Sequence, residues 1–228
     1  MISIQSLTKS YTRIPVLNGF TCDAAAGDVT LLVGSNGAGK STALKIVTGA
    51  LSADAGSVTI AGEDIRRDRH RALSLTSSLP QNVDFHPRLT VAQILRFYAD
   101  VRRVPKARIR SEMDRWGLAT HAKKRVSELS GGLRQRLGLA VLLLPDSPAL
   151  VLDEPGISLD PEWRDRMQQI LIEEASHGKA VFVATHLLGE WQNRAHRCLL
   201  CDQGRIVREI DPAKLRPSFP ETFKLAAV

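Results

Sequence analysis

Eight consecutive residues constrain this chain more than any others: Gly34-Ser35-Asn36-Gly37-Ala38-Gly39-Lys40-Ser41. They follow the apolar run Val29–Val33, which reads as a buried strand, and they precede a segment from Lys40 to about Ala50 that reads as a helix. In that context a G-x-x-x-x-G-K-[ST] spacing has a mechanical meaning. The glycines let the backbone curl until its N–H groups face a chain of phosphates, and the helix N-terminus adds partial positive charge. Lys40 is placed for β- and γ-phosphates, the Ser41 hydroxyl for Mg²⁺, and Thr42 as a further donor. The loop predicts a bound nucleoside triphosphate but does not by itself separate kinases, GTPases, motors and other ATPases.

A second signal narrows the chemistry. Ala149-Leu150-Val151-Leu152 is an apolar strand that ends in Asp153-Glu154. Ligands of α/β sheets bind where strands end. Asp153 is therefore expected to partner Mg²⁺, and Glu154 to orient or deprotonate an attacking water. A water-activating carboxylate favours hydrolysis over phosphoryl transfer to a second substrate. Farther upstream, Leu129-Ser130-Gly131-Gly132-Leu133-Arg134-Gln135-Arg136 places a serine cap and two glycines at the start of another helix, which makes a second anion site.

With these residues the chain resembles the ATPases of ABC transporters, whose signature is usually Leu-Ser-Gly-Gly-Gln. The resemblance covers nearly the whole chain and implies that Ser130, Gly131 and Gly132 face the γ-phosphate held by the loop of a second subunit, in a head-to-tail homodimer. It also implies that Tyr11 stacks on adenine, that Gln81 contacts Mg²⁺ or the attacking water, that Asp160 lies in a loop crossing the dimer interface, and that His186 contacts the γ-phosphate. ATP and Mg²⁺ follow as ligands, and a separate integral membrane permease as partner. Two departures stand out: Leu133 replaces the usual Gln, and Ile157 replaces a residue that often carries a hydroxyl. Both predict slower basal hydrolysis, or hydrolysis more dependent on the permease. The stretch from Leu79-Pro80-Gln81 through Phe97-Tyr98-Ala99 is similar to the ATPases of copper-mobilising ABC systems that serve nitrous oxide reductase maturation. That likeness implies copper- or sulfur-linked cargo and a periplasmic copper-handling partner, with drug, lipid, polysaccharide and haem exporters as alternatives.

Composition sets outer bounds. The chain has 228 residues, 43% of them apolar and 24% charged, as a globular protein should. No apolar run approaches the roughly 18–20 residues of a membrane-spanning helix, and the first residues do not read as a signal peptide. A cytoplasmic protein, peripheral on the inner membrane face, is expected. Three cysteines argue against a disulfide framework. Cys198 and Cys201 form a C-x-x-C, but their surroundings read as a buried strand, where residues three apart point to opposite faces. The net charge of +7 is uneven, since residues 66–136 hold 17 Lys and Arg against 6 Asp and Glu. A solvated face, an anionic leaflet and nucleic acid all suit such a segment. Nucleic acid is not expected, because aromatic residues make up only 5% and offer little for base stacking.

The remaining pattern predicts strands at Ser57–Ile60, Leu73–Leu79 and Ala180–Ala184. It predicts helices from Thr90, over about 106–116, from Ser130 to Leu144, and from Asp160-Pro161 to Gly178. The expected fold is α/β of the ABC ATPase type: a mostly parallel core sheet, an antiparallel β region and an inserted helical subdomain. A single domain 1–228 divides into a catalytic core lobe (1–82 and 141–228) and a helical signature subdomain (83–140).

Overall fold

A computed structural model describes residues 1–215, so the last thirteen positions of the expected core lobe lie outside the described residues. In chain order the strands are β1 (Ile2–Tyr11), β2 (Ile14–Ala24), β3 (Val29–Val33), β4 (Ala55–Ile60), β5 (Glu63–Asp64), β6 (Thr76–Leu79), β7 (Ala149–Asp153), β8 (Ala180–Ala184), β9 (Arg197–Asp202) and β10 (Arg205–Ile210). The helices are α1 (Lys40–Val47), α2 (Arg69–Ser74), α3 (Val91–Val101), α4 (Lys106–Arg115), α5 (Gly131–Leu143) and α6 (Pro161–Ser176).

Two sheets form. One runs β2-β1-β4-β5 and is antiparallel; the other runs β10-β9-β3-β8-β7-β6, in which every pair but β10–β9 is parallel. The central strands β3, β7 and β8 are almost wholly apolar because both faces of their sheet are covered, whereas the edge strand β6 carries Thr76, Ser77 and Ser78. Leu31, Leu150, Leu152, Val181, Val183, Cys198 and Leu200 face a core shared with α3, α5 and α6. Leu32, Val151, Phe182, Leu199 and Cys201 alternate with them and face the core beneath α1 and the antiparallel sheet. Each fully buried Leu, Val or Phe here contributes roughly 1.5–3 kcal/mol of transfer free energy. The two thiols of the C-x-x-C thus enter opposite cores, and burial pushes both up to about 12.

Local chemistry explains the helix boundaries. Thr90 and Gln93 make a reciprocal capping box at the start of α3. Ser130 Oγ accepts from Leu133 N, and Asp160 Oδ1 from Trp163 N. Gly117 and Gly178, at φ +60° and +89°, end α4 and α6 as expected. Two expectations need correction. The strand expected over Leu73–Leu79 is the end of α2 followed by β6: Asp68 caps the helix by accepting from Arg71 N, and only Thr76–Leu79 pairs with β7. The first helix stops at Val47 rather than near Ala50, because Gly49 turns the chain at φ +71°. Between Leu79 and Ala149 the elements are helical, with α3, α4 and α5 in succession. No helix among the described residues is long and apolar enough to cross a membrane.

Candidate functional site

Sheet order gathers the motifs. The neighbouring parallel strands β3, β8, β7 and β6 end, respectively, in the glycine-rich loop, in Thr185-His186, in Asp153-Glu154 and in Pro80-Gln81. Four motifs far apart in sequence therefore share the carboxyl edge of one sheet. Register sharpens this: Asp153 pairs with Ala184, and Glu154 N donates to Ala184 O at 2.8 Å.

The loop is held from behind. Lys40 is 8% exposed, and its Nζ donates to the carbonyls of Gly34 at 2.8 Å and Ser35 at 3.0 Å. That arrangement holds the ammonium at the mouth of the loop. Ala38 O accepts from Gly204 N at 2.9 Å and from the Cys201 thiol at 3.1 Å. A Cβ on Gly34 would lie 2.3 Å from Cys201 O, so only glycine fits where the loop crosses the β9–β10 turn. Gly39, at φ +104°, rests against Val16 O and Leu17 of β2. Sequence reasoning missed these supports, since nothing marks Cys201, Gly204 or Val16 as neighbours of residue 34 or 39. Gly34→Ala is expected to cost about 1–3 kcal/mol by overpacking, which lowers the melting midpoint by roughly 2–4 °C per kcal/mol in a chain of this size. A calorimetric scan that matched the parent would refute the tight crossing.

Asp153 and Ser41 line one cleft in front of the loop, with the Ser41 hydroxyl placed to stabilise the ionised carboxylate. Asp153 is 8% exposed, and its Oδ1 is buried without a hydrogen-bond partner. Burial pushes this carboxyl above its usual range, and the Glu154 charge adds to the rise. The Ser41 hydroxyl and the Lys40 and Lys45 charges pull the other way. An orphaned carboxylate oxygen beside a hydroxyl is a donor set that suits a hard divalent cation such as Mg²⁺. Gln81 joins them: it lines, with Ser41, Lys45 and Asp153, a cleft of about 430 Å³.

Glu154 is buried at 8% exposure and adopts φ +50°. For a residue with a Cβ that conformation costs about 1–3 kcal/mol and persists only when its surroundings impose it. Its Oε2 lies 2.7 Å from His186 Nδ1 and accepts from His186 N at 3.3 Å. A carboxylate only accepts, so Nδ1 carries the hydrogen in this pair. The pair forms one unit of acid and imidazole at the open edge of the sheet.

The other predicted residues sit apart from this centre. Ser35, Asn36 and Gly37 are exposed on the outer curve of the loop, while Thr42 lies in the first turn of α1. Tyr11, 46% exposed, ends β1 opposite Ile14, on the hairpin whose Val16 and Leu17 back Gly39. Ser130 caps α5, and Gly131 and Gly132 lie against Ser158: a Cβ on Gly132 would be 3.2 Å from Ser158 O. Asp160 caps α6 two residues beyond Ser158. Leu133 packs against the core and Ile157 is 47% exposed.

Comparison with known proteins decides the family. The sequence profile of the ABC transporter family matches residues 17–156. The chain is 33% identical over 218 residues to the Nod factor export ATP-binding protein I of Paraburkholderia xenovorans (strain LB400), covering 94% of this chain and 72% of that one. This chain belongs to the ABC transporter family. It is the ATP-binding, ATP-hydrolysing subunit type of that family. The glutamate/aspartate import ATP-binding protein GltL of Escherichia coli (strain K12) is 31% identical over 92% of this chain and 90% of its own length. Among solved structures, a bacterial ABC transporter cassette solved as a dimer superposes with a TM-score of 0.85 at 22% identity, over 93% of this chain and 99% of that one. A post-hydrolysis state of that cassette, bound to ADP and Pi, gives 0.81. These likenesses show the α/β ABC ATPase fold.

Proposed function

We propose that this ABC ATPase works as a head-to-tail homodimer beneath a separate membrane permease, on the cytoplasmic face, with each ATP held between the loop of one copy and the signature of the other. The carrying observation is that the chain has two helix N-termini built for anions, and only one of them belongs to the sheet edge. Lys40 and Ser41 open α1 there, whereas Ser130-Gly131-Gly132 open α5 against Ser158. A second copy, turned to present its signature, completes the first site.

In this reading Lys40 and the loop N–H groups bind the β- and γ-phosphates, and Tyr11 takes the adenine. Ser41, Asp153 and Gln81 would hold Mg²⁺, which supplies charge neutralisation at the phosphates when bound. Glu154 takes a proton from the attacking water, and His186, fixed by Glu154 through Nδ1, offers its remaining nitrogen toward the γ-phosphate. Asp160 fixes the start of α6 near the dimer contact. Closure on two ATP and opening after hydrolysis move the permease. The helical stretch 83–140 is the part that would meet the permease, next to Gln81.

Export and import relatives both occur, so cargo follows the permease. The copper-linked reading rests on the Leu79–Ala99 similarity and on the run Arg134–Ala140, which many related exporters share. Gentle affinity purification from native membranes, followed by mass spectrometry, tests both levels. A stoichiometric polytopic membrane protein is expected, and a periplasmic copper protein alongside it would support the finer cargo. Ribosomal or DNA-repair proteins without a permease would overturn the transport role.

A further inference from the structure

The signature helix reaches the residue after Glu154 through Gln135, which stands in the run Leu129–Arg136 but has no role assigned to it there. Gln135 lies one turn into α5 and is 3% exposed, and its Nε2 donates to Pro155 O at 2.8 Å. Pro155 directly follows Glu154, whose left-handed backbone is held on its other side by Glu154 N to Ala184 O. The helix itself has little freedom to shift. Near its start Gly132 abuts Ser158, and one turn past Gln135 Gly138 abuts Leu79 and Val83, where a Cβ would lie 2.7 and 2.9 Å from their side chains. One rigid element thus touches the signature, the Glu154–Pro155 turn and the stretch around Gln81.

We propose that Gln135 is a positioning residue for hydrolysis. Through Pro155 it ties the helix that begins with Ser130-Gly131-Gly132 to Glu154 of the same chain, so that an anion seated on the signature sets the carboxylate. The inference rests on the reading that Glu154 activates water and that the signature faces the ATP of a second copy. A buried carbonyl is satisfied in full or at a cost, and a helix transmits displacement because its packing has few alternative arrangements. Occupancy of one site is then felt at the carboxylate that serves the other.

Gln135→Met keeps length and volume and removes the donor. In the full-length protein, assayed with its permease if it needs one, kcat is expected to fall about tenfold, as loss of one buried hydrogen bond implies. The KM for ATP should stay within about twofold, since nothing that touches nucleotide has changed. Cooperativity in ATP should fall with kcat, a readout that a merely structural role does not move. Unchanged kcat overturns the proposal, and a lower kcat with cooperativity intact overturns its link to the signature. Should Gln135→Met not fold, Gln135→Glu, which keeps the shape and replaces the donor with an acceptor, takes its place. Glu154→Gln is run in parallel. Normal turnover there defeats the reading of Glu154, whereas an inactive Glu154→Gln beside a fully active Gln135→Met defeats this inference alone.

Discussion

Glu154→Gln should lose hydrolysis by about 10²–10⁴-fold, the usual contribution of a positioned general base, while retaining bound ATP. The amide fits the same volume and can still accept from His186 through its oxygen, so the 2.7 Å contact to Nδ1 survives in kind. It cannot take a proton from water. The cleft of Ser41, Gln81 and Asp153 is untouched, as are Lys40 and the signature, so nucleotide affinity should change little. On the proposed dimer mechanism, with binding intact and cleavage blocked, two copies closed on ATP lose hydrolysis as their route to reopen. Size-exclusion chromatography with ATP and Mg²⁺ should show a dimer for the variant, and single-turnover assays should show no phosphate release on the timescale of the parent. Ordinary turnover by the variant would mean that another group accepts the proton.

The parts of this site that are legible in sequence are those fixed by covalent neighbours. Val29 to Ser41 is a strand, a turn and a helix N-terminus in one run, so its conformation can be read without knowing what surrounds it. The same holds for Asp153-Glu154 at a strand end and for the caps at Thr90, Ser130 and Asp160. What sequence could not supply is whatever depends on pairing across the chain. That His186 contacts Glu154 follows from the order β8-β7 and the register Asp153↔Ala184, neither of which is encoded locally. Gln135 looks like one more polar residue between Arg134 and Arg136, and only the position of Pro155 gives it a buried partner. Leu73–Leu79 misleads for the opposite reason: its apolar residues suit either state, and the Asp68 cap tips the first half to helix. The first two strands carry register shifts at Leu7 and Ser10, which break the alternation that would mark them.

Lys40→Ala should weaken ATP binding by about a hundredfold or more, because charge-assisted hydrogen bonds contribute roughly 1.5–3 kcal/mol each and Lys40 is placed to make more than one. The fold should survive. The carbonyls of Gly34 and Ser35 lose their donor, but Ser35 O keeps Ala38 N, and the loop remains clamped from behind by Cys201 and Gly204. The variant therefore separates shape from charge: the cradle of backbone N–H groups stays and the ammonium goes. Titration with a fluorescent ATP analogue should show the affinity loss, while the melting midpoint without nucleotide moves by only a few degrees. Nucleotide should also no longer raise that midpoint, since stabilisation by a ligand scales with its occupancy. Parent-like affinity in the variant would show that the loop binds phosphate through its backbone alone and that Lys40 serves only to close the loop on itself.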